Sequence, residues 1–374
     1  MLVVVGDAHL HPYVWASLPR RRGDSYDSFR QATQFAADNR VDGLVLAGDI
    51  VNSNNPPMES VAQLLQGVRS LCELRIPVYA IAGNHDPDFW AGVSSDAFDL
   101  DKFDAGYLNI HIDGVPHNLA GIRSLPPDEL KQRLKTLPRQ VDILILHQLM
   151  KGLVPDVGEH QVWNLDPEWV PESVRLVLMG DLHAATSLEL KRSQHVTKFF
   201  YTGSTCLQKV DEPVEKSFIT VDGDLNVTRV PFKTRPFLRT TLFHNADGNQ
   251  LNVLVEKVKA LPAGALVSLK YHPCIPDVEE VLKKANADVD FLLKPVSVKT
   301  VDPEQQGINL DNVTLESCLG IMVKRETDPL FYDFVLSLLR SKDPKEALTH
   351  FREKVLSNEN TQGEDQQLLS AQEA

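Results

Sequence analysis

Gly83-Asn84-His85-Asp86 follows the apolar run Val78-Tyr79-Ala80-Ile81-Ala82. The run reads as a short buried strand between Pro77 and Gly83, and the glycine lets the chain turn sharply where the strand stops. An amide, an imidazole and a carboxylate in succession add nothing to packing at such a point. On the carboxyl edge of an open α/β sheet, where ligands bind, they suit a metal-dependent reaction on phosphate.

Four more apolar runs end in the same manner. Val3-Val4-Val5 leads to Gly6-Asp7-Ala8-His9, with His11 as a further imidazole that could touch substrate or metal. Gly43 to Ala47 leads to Gly48-Asp49-Ile50-Val51-Asn52, Val141 to Leu146 delivers His147, and Val174 to Met179 delivers Gly180-Asp181-Leu182-His183. Singly, each has a plain explanation, since Asp after Gly is a common turn or helix cap. Together they place oxygen or imidazole donors at five separate strand ends. The remaining histidines (His111, His117, His160, His195, His244, His272 and His350) stand outside this pattern and read as structural or solvated.

Carboxylate, amide and imidazole without thiolate suit Mn, Fe or Zn and argue against a structural zinc site. The donors suffice for two ions, which lie about 3.5–4 Å apart when they share a carboxylate. Asp49, from the central strand end, is the candidate bridge. Two such cations neutralise charge on a transferring phosphoryl group and make a water acidic enough to attack it.

The elements that must position these groups follow from periodicity. Tyr26 to Asp38 has a helical spacing of apolar residues, and Pro56-Pro57 starts a second helix to about Leu74, with Val61, Leu64, Leu65, Val68 and Leu71 on one face. Strand, helix, strand, helix, strand is the rhythm of a largely parallel sheet, so the first three polar turns should share one edge. Further on come weak strands near 109–112 and 118–122 and a charged helix near 127–136. The strands near 198–202, 217–221 and 226–231 alternate in polarity and predict an antiparallel second sheet.

The whole of 1–233 therefore reads as a two-sheet α/β sandwich flanked by helices. After Arg235-Pro236, residues 236–300 predict a small α+β unit and 301–327 an extended connector. Two apolar helical stripes lie within 328–357, suited either to pack on the parent or to dock on a partner, and 358–374 is a polar, acidic tail expected to be disordered.

At 374 residues with a formal charge of −13, the chain is a globular protein that cannot hold nucleic acid by bulk charge. Such a substrate would need metal ions, a partner, or a local strip such as Arg20-Arg21-Arg22. Cys72, Cys206, Cys274 and Cys318 are isolated and read as small buried hydrophobes in a reducing compartment. No signal segment or membrane span is expected, which predicts a cytoplasmic protein in which the sequons at Asn226 and Asn312 carry no meaning.

Asp7 and His9 in D-x-H, Gly48, Asp49 and Asn52 in G-D-x-x-N, Gly83 to Asp86 in G-N-H-D, the lone His147, and Gly180 and His183 in G-x-x-H together resemble the calcineurin-like metallophosphoesterases. Motif order and spacing are most similar to the SbcD-type branch, the nuclease subunit of double-strand-break repair complexes. The Tyr201-Thr202-Gly203-Ser204 and Glu215-Lys216-Ser217-Phe218 stretches also resemble the segment after that branch's last motif.

The resemblance covers 1 to about 233; beyond it, the small unit and the terminal helices match a capping domain and ATPase-binding helices in position only. It implies a metallophosphoesterase sandwich in which Asp7, His9, Asp49 and His183 hold one ion. Asp49, Asn84, His147 and Asp181 would hold the other, while His85 serves catalysis without ligating and Asp86 orients it. It further implies two divalent ions, Mn first with Mg or Fe as alternatives. The implied activity is 3′→5′ exonuclease action on duplex DNA ends with endonuclease action on single strands, in a homodimer with an SbcC-type ATPase. A generic phosphoesterase acting on small diesters or phosphoprotein is the alternative. Asp181 departs from the family pattern, which has histidine there, and Asn52 replaces an acidic or imidazole residue.

Overall fold

Leu2 and Val4 face one hydrophobic cluster and Val3 and Val5 another, and this alternation explains why the amino-terminal strand has no polar position. It belongs to a computed structural model that describes residues 1–14, 18, 22–86, 97–102, 106–153, 163–243, 248–273, 275 and 277–296. The connector, the helical stripes and the acidic tail expected at 301–327, 328–357 and 358–374 lie outside the described residues, as do Arg20 and Arg21. The chain divides into two units, Met1–Phe237 and Leu238–Ala374.

The first unit starts with β1 (Leu2–Val5), α1 (Asp24–Asp38), β2 (Gly43–Ala47), α2 (Met58–Glu73) and β3 (Val78–Ile81). The three strands run parallel, in the register Val3 to Leu44 and Leu46 to Ala80. Helix α1 opens at Gly23, whose φ of 86° favours a residue without a side chain, and carries Asp24 and Asp27 in its first turn, where the helix dipole favours negative charge. It buries Tyr26, Phe29, Ala32 and Ala36 with Leu64, Val68 and Leu71 of α2 against the outer face of β1–β3. A 2.9 Å hydrogen bond between the Tyr26 and Ser60 hydroxyls ties the two helices together.

The short β4 (Phe98–Asp99) extends this sheet, and β5 (Leu108–Ile112) and β6 (Val115–Ile122) open the second as an antiparallel pair. After α3 (Pro127–Lys135) come β7 (Ile143–His147), β8 (Leu176–Gly180), β9 (Ser187–Lys191) and β10 (Val196–Tyr201), then β11 (Ser217–Val221) and β12 (Val227–Pro231). The two six-stranded sheets have the orders β12-β11-β1-β2-β3-β4 and β5-β6-β7-β8-β10-β9.

Between the sheets, Leu2, Val45 and Ile81 meet Ile143, Ile145, Leu176 and Leu178. The other face of β7 and β8 packs Leu144, Leu146, Val177 and Met179 with Leu130 and Leu134 of α3. Truncating one of these fully buried leucines to alanine would cost roughly 2–5 kcal/mol.

The expected antiparallel second sheet does not form. β10 joins the second sheet parallel to β8, while β11 and β12 join the first, antiparallel beside β1. Alternating polarity reports that a strand is half-buried and says nothing of which strand it pairs with. The exposed edge strand β9, paired antiparallel with β10, was not anticipated.

Leading into and through the second unit come β13 (Phe237–Leu242), α4 (Gly248–Lys259), β14 (Leu266–Tyr271), α5 (Val278–Ala285) and β15 (Asp290–Pro295). Its sheet runs β13-β14-β15, with β14 and β15 parallel, over a core of Leu242, Leu254, Val258, Val267, Leu269 and Leu282. Among the described residues no helix is long and apolar enough to cross a membrane.

Candidate metal centre

The turns that follow β1, β2, β3, β7 and β8 meet at one edge of the sandwich. The chains leaving β1 and β2 run side by side, with Asp7, His9 and Leu10 donating backbone N–H groups to the carbonyls of Gly48, Asp49 and Ile50 at 3.1, 2.9 and 2.8 Å. Asp7, His9, Asp49 and Asp181 have φ values of 50°, 43°, 49° and 87°. That left-handed conformation is uncommon for side-chain-bearing residues and costs energy, and such outliers concentrate at functional sites. These four account for nearly half of the non-glycine residues so disposed among those described.

Gly48 and Gly83 make the crowding feasible. A β-carbon on Gly48 would run into the His147 ring, and one on Gly83 into the carboxylate and backbone nitrogen of Asp49.

His147 shows what the centre is built to hold. Its Nδ1 donates to the carbonyl of Ala47 at 2.9 Å, so in the neutral ring Nε2 carries a lone pair. That nitrogen faces oxygens on three sides: Asn84 Oδ1 at 3.2 Å, Asp49 Oδ2 at 3.4 Å and Asp181 Oδ1 at 4.0 Å. Acceptors arranged in this way repel one another unless a proton or a metal cation stands among them.

His9 and His183 offer a second meeting point, their Nε2 atoms 3.1 Å apart, with Asp49 Oδ2 3.7 Å from His9 Nε2. The buried Nδ1 of His9 has no hydrogen-bond partner among the described residues. Three groupings converge closely enough to hold an ion: Asp7, His9 and His183; His9, Asp49 and His85; and Asp7, Asp49 and His147. Asp49 or Asp7 belongs to each. The donor set, rich in hard oxygens and imidazoles, fits divalent cations.

The electrostatics reflect carboxylates and imidazoles forced together without water. Burial pushes the Asp7 carboxyl up to about 6, against the pull of His147 and His183. Burial would raise Asp49 too, yet the hydrogen bond and charge of His147, with His9, bring it down to about 2. Burial opposes charging of His147, but Asp49, Asp7 and Asp181 outweigh it and push the ring up to about 10. His9, shut away from water, drops to about 3 despite Asp49 beside it. A cation bound among these groups would neutralise the carboxylates and would require His147 in its neutral form.

His85 sits at the rim, its side chain 44% exposed and its Nε2 3.9 Å from Asp49 Oδ2. The expectation that Asp86 orients it is corrected by the hydrogen bonds. His85 Nδ1 lies 3.0 Å from the backbone carbonyl of Asn52, which aims the ring. Asp86 instead accepts the backbone N–H groups of Ile50 and Val51 on Oδ1 at 2.9 and 3.0 Å and of Gly83 on Oδ2 at 2.9 Å. It pins the turn after β2 to the turn after β3, and burial raises its own carboxyl to about 6.

Asn52, whose side-chain role the sequence left open, thus acts through its main chain. Asp181, the departure from the family pattern, falls outside the three groupings: its Oδ1 approaches His147 Nε2 only to 4.0 Å, while its N–H bonds both Asp7 oxygens, at 3.0 and 3.1 Å. His11 falls outside the three groupings, its Nδ1 turned to the backbone of Tyr13.

One neighbour escaped sequence reasoning. Glu212 Oε1 lies 2.6 Å from His183 Nδ1, and Glu212 also pairs with the buried Lys216. Its partners Ser204 and Lys216 lie in the two stretches that resemble the family segment, but Glu212 itself showed only as a glutamate four residues before a lysine, a pattern that normally marks an exposed helix face.

A family profile described as "Calcineurin-like phosphoesterase" matches residues 1–185, the span that contains every strand end named above. The DNA double-strand break repair protein Mre11 of Sulfurisphaera tokodaii is 29% identical over 203 residues, covering 50% of this chain and 49% of that protein. Mre11 of Methanosarcina mazei is 29% identical, over 62% of this chain and 37% of its own length. The Mre11 of Methanococcus maripaludis is 24% identical over 375 residues, 91% of this chain and 95% of that protein. The chain spans about half or less of the first of these curated relatives. Residues 1–185, just under half of the chain, are a calcineurin-like metallophosphoesterase domain.

Proposed function

We propose that the chain is a two-metal phosphodiesterase acting on DNA, with Asp7, His9, Asp49 and His183 around one divalent cation and Asp49, Asn84, His147 and Asp181 around the other. Bound there, the cations, Mn first and Mg or Fe as alternatives, would neutralise phosphate charge and acidify a water. The protein supplies the rest. The strained turns hold the donors in place before any ion arrives, so little reorganisation remains. His85, anchored through Nδ1 to Asn52, presents Nε2 at the exposed rim, where it donates a proton to the leaving oxygen.

The observation that carries this reading is the approach of His147 Nε2 to within 3.4 Å of Asp49 and 3.2 Å of Asn84, residues delivered by strands of two different sheets. The DNA substrate is supported by the relatives, which are DNA double-strand break repair proteins. With a net charge of −13, the chain calls for metal ions and a partner to bring DNA in, and an SbcC-type ATPase fits that need. On this reading the protein is a cytoplasmic homodimer that degrades duplex ends 3′→5′ and cuts single strands, with 236–300 as a capping domain and 328–357 as the helices that bind the ATPase.

The test follows a labelled duplex and bis-p-nitrophenyl phosphate in parallel, with Mn added to metal-stripped protein, with and without a co-expressed ATPase. Release of nucleotides from the duplex supports the reading. Turnover confined to the small diester, with the ATPase present, would assign a generic phosphoesterase instead.

A further inference from the structure

We propose that Glu212 is a positioning residue for the metal centre, fixing the tautomer and donor strength of His183 through a carboxylate that Lys216 holds in place. The inference rests on the reading of His183 as a ligand. It concerns a residue from a different part of the chain, in the turns between β10 and β11.

The two oxygens of Glu212 are divided between two tasks. Oε1 lies 2.6 Å from His183 Nδ1. Oε2 receives the ammonium of Lys216 at 2.8 Å and the backbone N–H of Gln208 at 3.0 Å, with the Ser204 hydroxyl 3.1 Å away. Lys216 Nζ also donates to Ser204 Oγ at 2.7 Å, and the Ser204 backbone N–H bonds the His183 carbonyl at 3.2 Å. The clamp therefore grips both the ring and the main chain of His183.

A carboxylate can only accept, so the proton between Glu212 and His183 belongs to Nδ1 and leaves Nε2 with its lone pair. Nε2 is the atom that points at His9 Nε2, 3.1 Å away. A charged acceptor behind the imidazole raises its basicity and stops the ring from rotating, and loss of such a partner typically weakens metal binding 10–100-fold.

A purely structural ion pair would need only the Lys216 contact. Side-chain exposures of 7% for Glu212 and 2% for Lys216 show that the pair has been taken out of water, a costly arrangement that an apolar pair of similar size would replace without penalty. The contact to His183 is what an apolar pair could not provide.

Titration of metal-stripped protein with Mn, free ion being counted by electron paramagnetic resonance, gives a dissociation constant for each site. Two variants are compared with the parent. Glu212→Leu with Lys216→Met removes the clamp and leaves no buried charge behind; Glu212→Gln keeps an acceptor for Nδ1–H but drops the charge. The double variant should bind one Mn 10–100-fold more weakly and the other as the parent does, with Glu212→Gln between the two.

A folded double variant with both constants unchanged overturns the proposal, and so does an equal loss at both sites, which would mean general loosening. Should the double variant not fold, Glu212→Gln decides alone, by weakening of one site or by none. A parent protein that takes up no Mn would instead sink the metal-centre reading itself.

Discussion

His147 Nε2 and Asp49 Oδ2 stand 3.4 Å apart although they are 98 positions apart in sequence and come from strands of different sheets. The contact joins the sandwich at its polar edge, where the two halves of the donor set meet. Neither side chain has water to satisfy it, His147 being fully buried and Asp49 nearly so.

His85→Ala should separate binding from turnover. The ring lies at the exposed rim and is held by a backbone carbonyl, so its loss should leave Mn uptake unchanged while the rate falls about 10²–10⁴-fold. Equilibrium Mn titration beside steady-state kinetics checks this. A variant as fast as the parent would remove His85 from the chemistry.

Asp86→Asn should act on the scaffold. An amide has one acceptor oxygen where the carboxylate has two, so a backbone N–H from Gly83 or from the Ile50–Val51 turn loses its partner at a cost of roughly 1–3 kcal/mol. Chemical denaturation should register that loss. Because Asn52 still aims His85, the rate at saturating Mn should fall far less than in His85→Ala.

Gly83→Ala tests how tightly the turns are packed. Its methyl group would meet the Asp49 carboxylate and backbone nitrogen, so something must shift, at about 1–3 kcal/mol. The expected result is a lower thermal midpoint together with weaker Mn binding. An alanine variant with the parent's midpoint and affinity would show that the turn has room to spare.

How much of this was legible in the sequence depends on what each feature leaves in the amino-acid order. Strands buried on both faces appear as unbroken apolar runs, and the donors at their ends stand out against them, so Asp7, Asp49, Asn84, His147 and His183 could be named before any coordinates. The fate of β11 and β12 was hidden, because alternation tells that one face is wet but not which neighbour supplies the hydrogen bonds. Asp86 was misassigned because unsatisfied backbone N–H groups leave no mark on the sequence. Glu212 was missed since it reaches His183 from 29 positions away, through turns without any period.

Acid titration gives a further check on the Glu212 clamp. Burial would raise this carboxyl, but the hydrogen bonds from His183 and Lys216 outweigh it and bring it down to about 2 from an ordinary 4.5. A carboxylate lowered in the folded state stabilises it fully above the ordinary value. That contribution, up to about 3 kcal/mol, disappears as the pH falls from 4.5 towards 2. The stability difference between the parent and the Glu212→Leu, Lys216→Met double variant should therefore shift against the parent across that window. A difference independent of pH would mean that Glu212 has no preferential partner in the fold.

The central claim is that side chains scattered from Asp7 to His183 cage two cations around one shared carboxylate. Diffraction data collected at the manganese absorption edge, from crystals grown with Mn, test it most directly. Two anomalous peaks are expected, both within coordination distance of Asp49, one beside His9 and His183 and the other beside Asn84 and His147. A single peak, or peaks that leave Asp49 or His147 without an ion, would contradict it.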